Sequence, residues 1–201
     1  MINVAEMILF AGMAAGLLGS PGPGSAALVA TGRDRGFVAS LPFFLSMQLG
    51  LLAALIVCAF GLSQFILAIP SAAFTLTLIA AAYLIYLGLK IATAPVESRP
   101  SAGRAPDFSW LGGFLLGAAN PKAYLAFIAL LGSAAIAGSL GSGTDLAAKI
   151  AISLCVTLTV DAAWLVMGVA LGLIALGPKR ERLLNLIFGA LLIITAVMTL
   201  L

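Results

Sequence analysis

The sequence predicts an all-α integral membrane protein with six transmembrane helices arranged as two inverted three-helix repeats. Three observations lead there. Of 201 residues, 63% are hydrophobic and only 8% charged, whereas a soluble domain carries about 25% charged residues. A chain this apolar cannot cover itself with polar surface in water, so lipid is its solvent. Long uncharged runs also alternate with short basic connections, and Pro-Gly interruptions recur at matching places in the two halves.

About 20 apolar residues cross the hydrocarbon core as a helix. Residues 7–32 carry no charge and give the first helix. Residues 36–89 are again uncharged, long enough for two helices, with Gly61-Leu62-Ser63-Gln64 and Pro70-Ser71 marking the turn between them. Residues 95–109 form the longest polar linker. A fourth helix covers 110–136 and is interrupted at Asn120-Pro121-Lys122. Residues 138–143 are Gly- and Ser-rich and read as a flexible loop. Residues 146–176 give a fifth helix with Asp161 inside it. A basic turn over 177–182 leads to a sixth, uncharged helix at 183–201. One transporter domain results, with repeat one over 1–92, a linker over 93–109 and repeat two over 110–201. The only early charge is Glu6 and the first basic residue is Arg33, so the first segment lacks the basic start of a cleaved signal and is expected to be retained.

Lys and Arg set the orientation. Arg33, Arg35, Lys90, Arg99, Arg104, Lys179, Arg180 and Arg182 fall after helices one, three and five, against Lys149 alone at the other connections. Basic connections stay in the cytoplasm, so both termini are expected outside it. Arg33 and Arg35 read as topology anchors. The net charge of +3 lacks the dense basic face of a nucleic-acid binder. Without histidine, zinc, haem and imidazole general-base chemistry are improbable, and neither a metal site nor a cofactor is expected. Paired carboxylates, HExxH and GxSxG are missing as well, which argues against an enzyme.

Three helices per half is an odd number, so the second half must run inverted. Leu17-Leu18-Gly19 precedes Pro21, and Leu115-Leu116-Gly117 precedes Pro121. Matched interruptions of this kind point to a transport site. Pro21 and Pro23 lack backbone N–H groups and obstruct the preceding turn, and Gly22 and Gly24 loosen it further. Carbonyls freed there must meet water, an ion, a ligand or another helix, because lipid offers nothing. A packing kink is the alternative reading of these breaks, and the matched pair favours the transport site over it.

Two charges lie deep. Lys122 is about 18 Å along the fourth helix and Asp161 about 21 Å along the fifth, at 1.5 Å per residue, near mid-bilayer. Such residues face a cavity or each other. Either they form a mutual ion pair that locks the bundle, or Asp161 exchanges a proton or grips a substrate ammonium; the sequence leaves these open. Gln48 reads as an interhelical hydrogen-bonding residue or a cavity-lining one. Gly12-x-x-x-Gly16, Gly113-x-x-x-Gly117 and Gly168-x-x-x-Gly172 are expected to let helices pack closely. Trp110 suits the interface, and Tyr83 and Tyr86 are positioned to bond polar neighbours.

Pro21-Gly22-Pro23, the short basic loop closing on Gly36, Ala81-Ala82-Tyr83-Leu84-Ile85-Tyr86-Leu87-Gly88, Gly113-Phe114-Leu115 leading to Asn120-Pro121-Lys122, and Asp161-Ala162-Ala163-Trp164 together resemble the LysE/RhtB family of bacterial amino-acid exporters. The resemblance spans nearly the whole chain. It implies proton-driven export of an amino acid across the inner membrane, often by dimers, with lipid as surroundings and no nucleic acid. Carried over by position, Pro21, Gly22, Pro23, Asn120, Pro121, Lys122 and Asp161 are its motif residues; Gly24 and Gln48 complete the candidate transport site. The chain departs from the family pattern in reading Ser46-Met47-Gln48 where many members carry Gly-Asp, and Gly24 where Asn or Asp often follows the first motif. Both changes remove charge, which shifts the expectation from a basic toward a neutral amino acid. The alternatives are a membrane thiol-redox conduit or a passive small-solute channel. Relatives that handle thiols place cysteines beside the prolines, whereas Cys58 and Cys155 sit mid-span.

The topology is directly testable. With the native cysteines replaced, single cysteines at positions 101 and 142 should react with an impermeant thiol reagent from opposite faces of the membrane. Reaction of both from one face overturns the six-helix arrangement.

Overall fold

The computed structural model describes residues 3–60, 78, 81–82, 85–86, 88–93, 109–174 and 178–198. The described elements are all helices, with no strand among them. We number the helices α1 (Val4–Gly19), α2 (Pro23–Ala59), α3 (Trp110–Ala118), α4 (Pro121–Leu131), α5 (Gly143–Gly172) and α6 (Pro178–Met198). By length and composition, α2 and α5 can each cross a membrane, and α3 with α4, bent by 47° at their junction, can serve as a third span. Helix α1 is a shorter apolar helix.

Helix α2 is not one straight rod. Gly36 has φ 75° and ψ −179°, a region that glycine reaches at little cost. The Ser40 hydroxyl lies 3.0 Å from the Thr31 carbonyl and 2.6 Å from that of Gly36. Residues nine apart in a straight helix would be about 13 Å apart, so the chain doubles back at Gly36. Residues 23–35 therefore continue the first predicted helix, below its break, and residues 37–59 form the second.

Hydrogen bonds mark the two ends of the bundle. The Asn3 amide donates to the Ile136 carbonyl at 3.0 Å, putting the N-terminus beside the connection that follows α4. At the other end, Arg33 Nη1 donates to Asn185 Oδ1 at 2.7 Å, joining the Gly36 turn to the start of α6.

Helix α2 packs most closely on α5 and α3, through glycine. A Cβ at Gly113 would meet Ser46 Oγ and sit 2.7 Å from the Phe43 carbonyl oxygen, and one at Gly117 would meet the Met47 carbonyl. At Gly168 it would strike the Val29 carbonyl, and at Gly172 it would come within 2.6 Å of the Arg33 carbonyl. These two GxxxG pairs act as the sequence suggests. The third does not: Gly12 and Gly16 are exposed, and a Cβ at either meets nothing within 4 Å.

Helix α5 is apolar outside and polar inside. Asp145, Lys149, Ser153, Thr157 and Asp161, each four residues from the last, are all buried on one face, while Leu158, Val166 and Met167 are exposed. Four-residue spacing lines side chains along one face of a helix.

Several predicted boundaries move. The fourth predicted helix ends at Leu131 rather than at 136, because residues 132–142 turn back onto α5. That segment, read as flexible over 138–143, is tied down: Asp145 accepts from the amides of Ile136 at 2.7 Å, Ala137 at 3.3 Å and Gly141 at 3.3 Å. Lys149 pairs with Asp145 at 3.1 Å and donates to the carbonyls of Leu131 and Ser133. Helix α5 starts at Gly143, three residues early, where Ser142 caps it by accepting from the Asp145 amide. Helix α6 starts at Pro178, so Lys179, Arg180 and Arg182 lie in its first turns rather than in a loop. The turn expected at 61–64 and 70–71, Tyr83, residues 95–108 of the linker and Gly177 lie outside the described residues. Tyr86 accepts from Lys90 Nζ at 3.2 Å, and Trp110 stacks on Phe114 with ring centroids 6.2 Å apart.

The glycine contacts make a contrast that can be measured. Gly168→Val should lose about 1–3 kcal/mol, the cost typical of overpacking, seen as a lower melting temperature in detergent. Gly12→Val should leave melting unchanged. Equal effects at both positions would contradict the packing described here.

Candidate functional site

The two predicted breaks lie side by side. Helix α1 stops at Gly19, Ser20 and Gly22 are extended, and α2 restarts with Pro23 as its first residue. That position suits a residue without an N–H, since the first amides of a helix have no partner within it. The Ser25 hydroxyl closes the new turn, accepting from the Gly22 amide at 2.7 Å and lying 2.9 Å from the Gly22 carbonyl. The second break follows the same rules. Helix α3 stops at Ala118, Asn120 caps α4 with its side-chain oxygen 3.4 Å from the Ala123 amide, and Pro121 opens the helix.

The carbonyls freed at the end of α1 are met by protein donors. Ser20 Oγ donates to the Leu17 carbonyl at 3.0 Å, and Trp164 Nε1 to that of Gly19 at 3.3 Å. Lys122 Nζ donates to the carbonyl of Ser20. A lysine in the first turn of a helix sits at the positive end of the dipole, where a cation is disfavoured. Lys122 escapes that end by reaching across the gap to the negative end of α1. Gly22 leaves the room for it, as a Cβ there would lie 3.1 Å from Lys122 Cδ.

Asp161 faces the same gap from α5. Its Oδ2 accepts from Gln48 Nε2 at 2.7 Å, and both side chains are buried. The simple Lys122–Asp161 ion pair is therefore not formed: each charge has its own partner, one a carbonyl and the other an amide. The Asp161-Ala162-Ala163-Trp164 motif acquires a physical meaning here. Residues three apart on a helix share a face, so the carboxylate and the indole both reach the broken end of the first span.

A cavity lies between the breaks, with about 460 Å³ of empty space counted out to its open mouth. Ser20, Gly22, Pro23, Gly24, Asn120, Lys122 and Asp161 line it. The Gln48 side chain stands behind Asp161 as its hydrogen-bond partner. Pro21 and Pro121 are not among the residues lining the cavity; Pro21 lies between α1 and α2, and Pro121 opens α4. The N-terminal ends of α2 and α4 both border it, and the amides of their first turns carry positive dipole ends.

The sequence reading missed several residues. Thr157 lies one turn from Asp161 and lines the cavity; its hydroxyl donates to the Ser153 carbonyl at 2.7 Å, leaving lone pairs free to accept. Ser25, Met47 and Leu51 line it as well. The spacing Thr157-x-x-x-Asp161 in an otherwise apolar run was the signal available. The Asp145–Lys149 pair was missed too, although its i,i+4 spacing is that of a helical ion pair.

A family model described as LysE type translocator matches residues 15–201. No curated protein and no solved structure matches the chain.

The capping of α1 can be tested by substitution. Trp164→Phe keeps an aromatic ring but removes the indole donor to Gly19, leaving a partly buried carbonyl without that side-chain partner. Such losses cost about 1–3 kcal/mol, so melting in detergent should fall measurably below that of the native protein. An unchanged melting temperature would show that the bond carries no weight.

Proposed function

The chain belongs to the LysE type translocator family, and from that premise we propose that it exports an amino acid from the cytoplasm across the inner membrane in exchange for protons. One observation carries the reading: two helix breaks, from opposite halves of the chain, bring their N-terminal ends, Lys122 and Asp161 to a single cavity. Half-helix N-termini are suited to a substrate carboxylate, with Lys122 adding a full positive charge. Asp161, and the lone pairs of Thr157 behind it, suit the ammonium group or a proton.

The proposed architecture is six spans in two inverted repeats, both termini outside the cytoplasm. The two end-markers support it, since Asn3 meets residue 136 at one end while Arg33 meets Asn185 at the other. In each half the break is followed by a proline-led helix. Alternation of access would then move the half-helices about the fixed site. Cys58 is buried and Cys155 exposed, on different helices, and neither lines the cavity, so nothing in the arrangement favours thiol exchange.

Asp161 is the proposed coupling residue. Substrate leaving toward the outside frees the carboxylate, and a proton entering neutralises it for the return. Lys122, in the same cavity, disfavours a second cation beside a protonated Asp161, so proton and substrate ammonium compete.

The experiment is transport by the purified protein in liposomes. Asp161→Asn should abolish accumulation against a gradient, by at least tenfold, and spare downhill exchange. Lys122→Gln should weaken substrate affinity in both modes. A well-folded Asp161→Asn protein that still drives uphill transport would remove the coupling role. A purely structural pair predicts instead that each single variant misfolds and that the double variant recovers.

A further inference from the structure

Charge counting in the cavity goes beyond the family's general activity to a class of substrate. We propose that the site selects neutral amino acids with an aliphatic or thioether side chain, bound as the zwitterion; this rests on the export reading above. Among the described residues that line the cavity, one is a full cation, Lys122, and one a full anion, Asp161. A zwitterion brings one of each and leaves none over. Lysine or arginine brings a second positive charge, and the described lining residues include no second carboxylate for it. One oxygen of the carboxylate that is present is already held by Gln48. Glutamate or aspartate brings a second negative charge and finds no second lysine or arginine among the described lining residues. A charge without a partner in a site set among membrane helices is disfavoured.

The rest of the wall says where the side chain goes. Leu17 and Leu18 from α1, Met47 and Leu51 from α2, and Ala123 and Ala126 from α4 form an apolar lining. The polar groups are Ser20, Ser25, Asn120 and Thr157, and each already makes a hydrogen bond in the structure. A substrate fixed by its two charged ends near Lys122 and Asp161 therefore presents its side chain to leucine, methionine and alanine. Met47 is buried, unbranched and adaptable, and suits side chains of varied shape. Ala123 and Ala126 are small members of that wall, so a larger side chain there would take up space in the cavity.

The native protein in liposomes, given an imposed proton gradient, tests this with labelled leucine, methionine, lysine and glutamate. Leucine and methionine should move with KM at least tenfold below those of lysine and glutamate. Isoamylamine, which lacks the carboxylate, and isocaproate, which lacks the ammonium, should each compete at least tenfold more weakly than leucine. Ala126→Leu should shift the preference from leucine toward alanine by about tenfold while charged amino acids remain excluded. Lysine or glutamate moving as well as leucine would overturn the inference and leave amino-acid export standing. Movement of none of the four would remove both. An unchanged size preference in a folded Ala126→Leu protein would show that the apolar wall does not hold the side chain.

Discussion

The contact on which the site depends is Lys122 donating to the carbonyl of Ser20. A helix broken inside a bilayer exposes backbone polar groups where no water can satisfy them. Here the two breaks solve the problem for each other. The first frees carbonyls at the negative end of α1, and the second places a cation at the positive end of α4, where it would otherwise be repelled. Joining them stabilises both ends at once. It also holds the breaks together, so a cavity with polar walls exists where an unbroken pair of helices would have met ridge to groove.

That arrangement needs an unmoving frame, and glycine supplies it. Contacts at Gly113, Gly117, Gly168 and Gly172 bring α3 and α5 against the backbone of α2. Without a hydrophobic drive between helices in lipid, close backbone approach is a main source of helix association. The reversal at Gly36 then sends the second half of α2 back along the first, so one stretch of chain offers Ser25 and Gly24 from one arm and Met47, Gln48 and Leu51 from the other. Gly12 and Gly16 play no part in this frame, because α1 turns that face outward.

Much of the site was legible because membranes make charge and proline conspicuous. Lys122, Asp161 and the two Pro-Gly breaks stand out against uncharged surroundings, and the structure brings them around one cavity. The reading fell short where the signal lay in partners rather than in composition. Whether Lys122 and Asp161 pair with each other was open in the sequence; Gln48 and a backbone carbonyl take them instead, and a carbonyl leaves no trace in a sequence. Loop character was likewise misjudged over 138–143. Glycine and serine there do permit positive φ, at Gly138 and Gly141, yet the carboxylate that pins the segment comes from the following helix. Helix ends shifted by a few residues for the same reason, since Ser142 and Pro178 act as starts only in their three-dimensional setting.

The buried face of α5 joins these two polar centres. At one end Asp145 and Lys149 tie the segment after α4 to the helix, and at the other Asp161 faces the cavity, with Ser153 and Thr157 between them. The two carboxylates do different things because their partners differ. Asp145 is surrounded by fixed donors: three backbone amides and an ammonium. Its charge is fully committed to structure. Asp161 has one amide donor, Gln48, and otherwise looks into open space shared with Lys122. A carboxylate with unfilled acceptor capacity beside a cavity is able to exchange partners, whereas one saturated by backbone is not. On a single helix and a single face, the two carboxylates differ in how many donors reach them.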